Sequence, residues 1–506
     1  MILLRYQPVH AFLAGGRAPE GGEVRVYPRS LHTHGDTRVL MIRDGGEKKL
    51  AAAGSGPLYD DLAGEVKDGL KLCGLTRENR LVLNQYFPFT APRAFGKRTA
   101  TIGLGDRLGR AGPGQIRAVR GRDVKPVLAQ QSVRELTLTG RTFADILDAA
   151  AFAVFQEGYT EGYGADGDHL KKEEDIRAAF SLGFTMLTLD CSDMIDNEAA
   201  VADEAEVRRR YEALSESVRR RYESAYLDRT FRVGEYELRF GESRLMRDVL
   251  VYHRAIEFMV YIYEHYIRNA GRKIDFEISI DETMTPTTPE SHFLVASELA
   301  AAGADLFSMA PRFIGEFQKG IDYIGDRDEF ERQLAVHAAI ADHFGYKLSI
   351  HSGSDKFSVF PAIGRHTRGR FHVKTAGTNW LEAVRIIARV NPALYRKMHR
   401  YALERFEDAK AYYHISADPA KIAPLDAVPD DRLPGYLEDD NARQVLHIAY
   451  WLILQGKDDK GAYLLRDDFF RTLDAHEEEY ARALEAHIGR HLDLLGVPKA
   501  GGGTGG

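Results

Sequence analysis

Three histidines in this sequence follow or end short runs of β-forming residues, and each has a carboxylate or an ammonium group nearby. One run ends in Asp168-His169, a later run ends at His351, and the last contains His372 beside Lys374. A single histidine in a strand is more often a satisfied core residue, but three at strand ends beside acids favour a metal site. Three imidazoles with an open position form a recurring site for a catalytic divalent ion such as zinc. We therefore predict that His169, His351 and His372 hold one divalent metal ion.

Carboxylates end two further β runs and leave the ligand set open. Asp190 ends one run, and the pair Asp281-Glu282 ends the next. Replacing one histidine by Glu282 or Asp190 would suit manganese or nickel better than zinc. The sequence thus predicts a metal site without fixing the ion.

Basic and glycine-bearing segments at the same strand ends indicate a site for an anionic group. The turns 352–354 and 376–378 follow the last two runs, and backbone N–H groups in such turns bind anions. The basic residues near the predicted strand ends are Arg107, Arg312, Lys356 and Lys374. An equally supported interpretation is that the glycines only terminate strands.

A repeating alternation of β runs and helical patterns between about residues 99 and 390 positions these groups. The runs are 99–105, 124–130, 162–168, 185–190, 275–281, 304–309, 347–351 and 370–374, with the clearest helices at 142–157, 173–182, 290–302, 329–344 and 380–390. This pattern favours the α/β class with a parallel sheet, and eight units favour a closed (β/α)8 TIM-type barrel with its chemistry at the carboxyl ends of the strands. The alternative is an open doubly wound sheet, but the glycines of 103–109 match its phosphate fingerprint poorly.

The remaining segments surround this barrel. We predict a small irregular α+β N-terminal layer at 1–85, a catalytic barrel at 86–391 with a helical insertion at 195–270 after strand four, a helical extension at 392–495 and a flexible Gly-rich tail at 496–506. Two arginine triplets in the insertion, 208–210 and 219–221, are interleaved with acids, which favours a solvated helix face over an anion patch. The extension would pack on the barrel or on a second subunit, so a homo-oligomer stays open.

Composition excludes several classes of protein. The 506 residues are 28% charged and 44% hydrophobic, as in globular rather than disordered chains. A formal net charge of −7 argues against a basic nucleic-acid binder. No apolar run approaches the ~20 residues that span a bilayer, and the N-terminus lacks a signal-peptide pattern. With 2 cysteines the chain has no disulfide framework, so we expect a soluble, cytoplasmic protein that acts on a small molecule.

Several longer strings resemble the tagaturonate epimerase family. They are IGLGDRLG (102–109), VLAQQSVRELTLTGRT (127–142), YGADGDHLK (163–171), LDCSDMIDN (189–197), SIDETMTPTTPESHF (279–293), HSGSDKFS (351–358) and HVKTAGT (372–378). The resemblance shows no departure at the strand-end histidine and acidic positions. It implies interconversion of D-tagaturonate and D-fructuronate, epimers at C4, with a divalent metal, and it includes relatives that accept the neutral ketohexoses tagatose and fructose.

The implied reaction restricts the mechanism, because the hydrogen on C4 is not acidified by the C2 ketone. Retro-aldol cleavage between C3 and C4, rotation of the aldehyde and re-addition would invert C4, with the metal stabilising the enediolate as a Lewis acid. In this scheme Asp168 and Glu282 are the predicted base and acid. We predict that Arg107, Arg312 and Lys356 bind the carboxylate of the substrate. The residues predicted to contact other parts of the substrate are Gln130, Asp190, Ser352 and Lys374.

Other functions remain open at this point. Hydride transfer at C4 would need a nicotinamide, for which no convincing fingerprint is present. A metal-dependent aldolase on phosphorylated ketoses and an aldose–ketose isomerase would use the same groups. A barrel that binds a sugar acid without catalysis is the alternative outside enzymes, since fold alone does not imply catalysis.

Overall fold

Eight parallel strands close into a barrel in the computed structural model, which describes residues 5–17 and 23–500. In chain order the barrel strands are Thr101–Leu104, Lys125–Ser132, Gly164–Leu170, Met186–Asp190, Asp275–Ile280, Ser308–Pro311, Lys347–Ile350 and Phe371–Thr375. The eighth strand pairs in parallel with the first, with Val373 opposite Ile102, and this pairing closes the barrel. The predicted (β/α)8 barrel is confirmed, and the open doubly wound alternative is wrong. The predicted sixth run shares only Ser308 and Met309 with its strand.

Helices on the outside of the barrel follow its strands, and the last of them leads into the C-terminal extension. They are Gly112–Val119, Val133–Thr139, Phe143–Glu157, Glu173–Leu182, Glu242–Ile262, Pro289–Ala301, Arg327–Phe344, Phe360–Thr367 and Thr378–Val390. Sequence signals fix several of their ends. Thr142 and Asp145 form a reciprocal capping box at the start of one helix, and Gly158 ends that helix in a left-handed conformation. Thr288 caps the helix that begins at Pro289.

The strands are buried on both faces, but the two faces carry different side chains. Thr188 of the fourth strand points inward, where its hydroxyl lies 3.1 Å from Oε1 of Glu277 in the fifth strand. Because successive side chains in a strand alternate between faces, Leu187 and Leu189 point outward, and both are fully buried. The barrel interior therefore carries polar groups at the level of Thr188, while apolar packing against the helices stabilises its outside.

Between the fourth and fifth strands the chain forms short helices and a hairpin before it enters the long helix Glu242–Ile262. The helices are Asn197–Val201, Glu204–Glu212 and Glu216–Tyr226, and the hairpin strands are Thr230–Val233 and Tyr236–Arg239. The two arginine triplets lie on separate helices, because Ser215 caps the second. Arginines of both triplets pair with acids, such as Arg208 with Glu242 at 2.9 Å, which fits the solvated-face interpretation.

An antiparallel sheet lies at the N-terminal end of the described chain. Its strands are Val24–Val26, His32–His34, Thr37–Asp44, Glu47–Ala53, Glu65–Lys67 and Leu70–Gly74, accompanied by the helices Gln7–Leu13, Pro57–Asp61 and Arg77–Tyr86. Residues from this sheet pack with Phe152 and Phe155 of an outer barrel helix in one apolar cluster. The sheet thus rests on the outside of the barrel, away from the strand ends.

The C-terminal extension is helical, as predicted. Its α-helices are Pro392–Glu404, Phe406–Lys410, Asp440–Ile448, Tyr450–Gln455, Arg466–Ala475 and Glu477–Leu494. Trp380, in the helix after the eighth strand, stacks on Phe469 and donates to the carbonyl of Leu446 at 2.8 Å. These contacts tie the extension to the last barrel unit.

Of the predicted tail 496–506, residues 501–506 lie outside the part of the chain that the structure describes. Among the described helices, none has the length and apolar character needed to span a membrane.

Candidate active site

A cavity of about 450 Å³ opens at the carboxyl end of the barrel strands. Its walls come from residues that follow the strands and from Tyr413 and His447 of the C-terminal extension. The charged and imidazole side chains that line it are Arg107, Arg134, Glu135, Asp168, His169, Lys171, Lys172, Asp175, Asp190, Asp281, Glu282, Lys319, His351, Lys356, Lys374 and His447. A concave site with so many ionisable groups is where a barrel enzyme carries its chemistry.

Two histidines and an aspartate in this cavity could hold a metal ion. His169, Asp281 and His351 each offer one ligand atom, and these atoms lie within 4.8 Å of one another. Nδ1 of His351 lies 3.1 Å from Oδ2 of Asp281, and the imidazole rings of His169 and His351 are 4.8 Å apart between centroids. Two imidazoles and one carboxylate form a donor set that suits a catalytic divalent ion with open positions.

The second ring nitrogen of each imidazole contacts a buried carboxylate. Nε2 of His351 lies 2.8 Å from Oε1 of Glu277, and Nδ1 of His169 lies 2.8 Å from Oδ1 of Asp168. Such contacts fix the tautomer and orientation of metal-binding histidines. The ring nitrogens left over are Nδ1 of His351, which faces Asp281, and Nε2 of His169.

Lys374 neutralises part of the negative charge below this group. Its Nζ lies 2.9 Å from Asp166, 2.7 Å from Asp168 and 2.9 Å from Glu277. Burial by itself would lower the pKa of Lys374, but these carboxylates raise it well above its usual value. Burial raises the pKa of Asp166 to about 6. One ammonium group therefore faces three acids, and the site retains an excess of negative charge that favours a further cation.

The two imidazoles supply positive charge when they are protonated. Burial opposes protonation of His351, but Asp281 outweighs it and raises the pKa of His351 to about 10. The pKa of His169 is likewise raised by Asp168 against the effect of burial. A divalent ion bound to His169, Asp281 and His351 would replace these protons, as metal binding to histidine does in general. The residues present therefore fit a divalent metal.

Two residues of the cavity have unusual backbone conformations. His169 and Ser352 have backbone φ values of 54° and 50°, in the left-handed region that residues other than glycine rarely adopt. Such conformations recur at functional sites, where the surrounding structure compensates their cost. His169 lies at the end of the third strand, and Ser352 lies in the turn that follows the seventh.

His372 does not join the group formed by His169 and His351. It lies fully buried inside the barrel, where its Nδ1 is 2.9 Å from the hydroxyl of Thr101 and burial lowers its pKa to about 3. The side chain is two residues before Lys374 on the same strand, so it occupies a deeper layer than the cavity wall. The carboxylate that faces His351 is Asp281, whereas the neighbouring Glu282 is exposed at the cavity wall.

Of the predicted carboxylate-binding residues, Arg107 and Lys356 line the cavity and Arg312 does not. The guanidinium of Arg312 donates to the carbonyl of Thr283. Nζ of Lys356 donates to three backbone carbonyls, those of Gln318, Ile321 and Ser354, at 2.9, 2.6 and 2.9 Å. An ammonium group has three donors, so Lys356 braces two loops and has no donor left for a substrate.

Four more predicted residues line the cavity, namely Gln130, Asp190, Ser352 and Asp168. The amide oxygen of Gln130 is buried without a hydrogen-bond partner among the described residues. One oxygen of Asp190 accepts from the backbone N–H of Ser192 at 2.9 Å. These residues are therefore brought to one place, while their roles stay predictions.

Sequence reasoning missed Lys319, Glu135 and His447. Glu135 lies in the first turn of the helix Val133–Thr139, Lys319 lies in the loop after the sixth strand, and His447 lies on a helix of the extension. None of them follows a strand directly, which is the signal that identified the others. The Lys319-Gly320 pair, in the long loop after the sixth strand, was the one local hint available.

Comparisons with known proteins agree with this geometry. A family profile described as tagaturonate epimerase (UxaE) matches residues 27–495. A tagaturonate/fructuronate epimerase of Thermotoga maritima is 44% identical over 425 residues, covering 84% of this chain and 86% of the relative. The crystal structure of the fructuronate-tagaturonate epimerase UxaE from Cohnella laeviribosi, with one glycerol, is 67% identical, has a TM-score of 0.94 and covers 97% of this chain and 98% of that one. The native structure of that enzyme is 66% identical with a TM-score of 0.94, covering 97% and 99%. This chain therefore belongs to the tagaturonate epimerase family and is an enzyme of the isomerase class.

Proposed function

We propose that this enzyme interconverts D-tagaturonate and D-fructuronate by inverting C4. The observation that carries the proposal is the 67% identity, over 97% of this chain, to a Cohnella laeviribosi enzyme named for this reaction. The Thermotoga maritima relative, named for the same pair of sugar acids, supports it independently. Tagatose and fructose, which lack the carboxylate, are proposed as slower substrates. Two buried, unpaired cysteines, Cys73 and Cys191, support a reducing and hence cytoplasmic location.

We assign His169, Asp281 and His351 as the residues that hold one divalent ion, with zinc, manganese and nickel as the candidates. This set replaces the predicted trio that included His372. When bound, the ion would supply Lewis-acid stabilisation of the negative charge that develops on the C2 oxygen of the substrate. Glu277 and Asp168 orient the two imidazoles through the contacts described above.

The residues of this chain then need to move one proton and hold two fragments. A base takes the proton from the C4 hydroxyl, the C3–C4 bond breaks, and its electron pair passes to C3 in conjugation with the C2 carbonyl. The resulting C4 aldehyde turns its opposite face to C3, the C3–C4 bond re-forms, and the C4 oxygen takes a proton. The C4–H bond stays intact throughout, so no proton has to be removed from C4.

Asp168 and Glu282 remain the proposed base and acid. Both line the cavity. Burial would raise the pKa of Asp168, but Lys374 and His169 outweigh it and lower that pKa well below its usual value, so Asp168 is ionised at neutral pH. Lys374, which donates to Asp168 at 2.7 Å, keeps this carboxylate in place. Glu282 is exposed at the cavity wall.

The test is to incubate metal-loaded and chelated enzyme with D-tagaturonate and follow the products by carbon NMR. Metal-dependent formation of D-fructuronate without accumulating three-carbon fragments is expected. Deuterium at C4 of the substrate should be retained and should slow turnover by no more than a small secondary effect. A primary isotope effect at C4 would contradict the retro-aldol route. Absence of turnover with every candidate ion would contradict the proposed function itself.

A further inference from the structure

One side of the cavity carries positive charge that the proposed metal chemistry does not use. We call this side the cationic wall and define it by Arg107, Lys319 and His447. Arg107 follows the first strand, Lys319 lies in the loop after the sixth, and His447 is carried by the helix Asp440–Ile448 of the C-terminal extension. All three line the cavity. Arg107 and His447 are only 2% and 1% exposed.

Arg107 is held in place and still has a donor to spare. Its Nε and Nη2 donate to Oε1 of Glu135 at 2.9 and 2.6 Å, and its guanidinium lies 3.9 Å from the ring centroid of Tyr450. Nη1 is buried and has no hydrogen-bond partner among the described residues. A buried guanidinium donor without a partner loses the energy of a charged hydrogen bond unless a ligand accepts it.

His447 is also fixed without a partner. Within the described chain neither Nδ1 nor Nε2 has a hydrogen bond. Two glycines make room for the ring. A Cβ at Gly377 would lie 1.9 Å from Cε1 and 2.3 Å from Nε2 of His447, and a Cβ at Gly320 would lie 3.2 Å from Nδ1. The loops after the sixth and eighth strands thus close on this imidazole.

The ring of His447 is neutral. Burial, and then the charges of Arg107 and Lys319, lower its pKa well below the usual value. It can therefore donate one N–H without adding charge. Lys319 donates to Oγ of Ser352 at 3.0 Å, which points its ammonium group across the cavity toward the loop that follows the seventh strand.

The charge balance of this wall suits a single negative charge. Arg107 and Lys319 are cations and Glu135 is an anion, so one positive charge is in excess. The group at the proposed metal site has the opposite character, with Asp168 and Asp281 at the same cavity. A ligand that is anionic at one end and carries a carbonyl and hydroxyls at the other would match both sides.

We propose that Arg107, Lys319 and His447 form the subsite that binds the carboxylate of the hexulosonate substrate. The C-terminal extension is then part of the active site, because it contributes His447. This inference rests on the proposed function for the identity of the acid. It replaces Arg312 and Lys356, which the sequence suggested for this task.

The test compares binding of D-tagaturonate and of neutral D-tagatose to the metal-loaded full-length enzyme by calorimetry, alongside turnover. Wild-type enzyme should bind the acid more tightly than the neutral sugar. Lys319→Met should weaken binding of the acid by about tenfold to a hundredfold, as expected for one charged hydrogen bond, with little change for tagatose. Lys319→Arg should recover most of the affinity. Lys172→Met, which removes a charge from a 72%-exposed side chain of the cavity rim, is the matched control.

Because Lys319 also contacts Ser352, His447→Ala serves as a second and independent variant. It should lower the preference for the acid as well. If the wild-type enzyme binds both sugars equally, or if Lys319→Met and His447→Ala keep the wild-type preference, the subsite is wrong even where epimerisation is observed. If the acid binds selectively and the variants lose that selectivity but no turnover occurs, the subsite stands and the proposed function fails.

Discussion

Replacing Lys374 by methionine removes the ammonium group that three buried carboxylates share. Its Nζ lies 2.9 Å from Asp166, 2.7 Å from Asp168 and 2.9 Å from Glu277, and methionine fills nearly the same volume without the charge. Removing one partner of a buried ion pair costs about 3–5 kcal/mol, because the remaining charge stays buried alone. Since three acids lose their partner here, we expect the free energy of unfolding of the metal-free enzyme to fall by about 5 kcal/mol at pH 8.

The loss should depend on pH in a defined direction. Burial already raises the pKa of Asp166 from 3.8 to about 6 with Lys374 present, and removal of the ammonium group raises it further. The folded variant then binds more protons than the unfolded chain, so its stability falls as the pH rises from 3.8 through the folded pKa. One extra proton changes the stability by about 1.4 kcal/mol per pH unit. The variant should therefore lose about 2–3 kcal/mol less at pH 6 than at pH 8.

Urea denaturation of metal-free wild type and variant at both pH values measures this difference, with Lys172→Met as an exposed-lysine control. Tryptophan fluorescence reports unfolding through Trp380, which is fully buried. An unchanged denaturation midpoint in Lys374→Met would refute the view that the ammonium group stabilises the acids. A loss of equal size at pH 6 and pH 8 would refute the protonation argument.

Five further substitutions test the site and its supports. His351→Ala and Asp281→Asn should each retain less than about a tenth of the wild-type metal after dialysis, as measured by atomic emission. Folded His372→Asn, the control, should retain all of it. Full metal content and full activity in His351→Ala would contradict the assignment of the metal ligands. Gly377→Ala should lower the free energy of unfolding by about 1–3 kcal/mol and raise KM for the acid, because the new Cβ would lie 1.9 Å from Cε1 of His447. An unchanged melting temperature and an unchanged KM would show that Gly377 does not confine the imidazole of His447. Thr142→Ala should lower the free energy of unfolding, measured by urea denaturation, by about 1 kcal/mol, because the capping box is lost. It should leave kcat unchanged. A fall in kcat would contradict a purely structural role for Thr142.

The barrel was predictable because short β-forming runs that end in polar residues alternate with helical patterns along the chain. The sixth strand shows the limit of that signal. The apolar run 304–309 continues into Ala310 and Pro311, and only the pairing of Glu277 with Ser308 and of Ile280 with Pro311 sets the strand at Ser308–Pro311. Register depends on a partner strand, which a pattern along one segment does not contain.

The site was predictable to the extent that its residues lie at the carboxyl ends of strands. His169 is the last residue but one of its strand, His351 directly follows its strand, and the two lie together. The Asp281-Glu282 pair was also placed at the correct strand end. His372 is inside its strand, and its layer within the barrel follows from its register with Thr101. Which of the adjacent acids faces the imidazoles depends on the alternation of side chains in space. Lys319 and His447 reach the cavity through a loop and a distant helix, so no local pattern identifies them.

The retro-aldol route requires part of the substrate to turn over, whereas the carboxylate subsite holds the substrate in place. The positions of the reacting carbons in the substrate make the two compatible. In the ketose numbering the ketone is at C2 and the carboxylate is C6, so retro-aldol cleavage between C3 and C4 leaves the carboxylate on the aldehyde fragment. Inversion requires that the C4 aldehyde group turn over, which rotation about C4–C5 achieves while C5 and C6 stay in place. A carboxylate bound by Arg107, Lys319 and His447 would therefore hold the fragment without preventing the turn. A neutral ketohexose lacks this anchor, so its aldehyde fragment would escape more often before re-addition. The enzyme should consequently release three-carbon fragments more readily from tagatose than from tagaturonate, and Lys319→Met should make the acid behave like the neutral sugar.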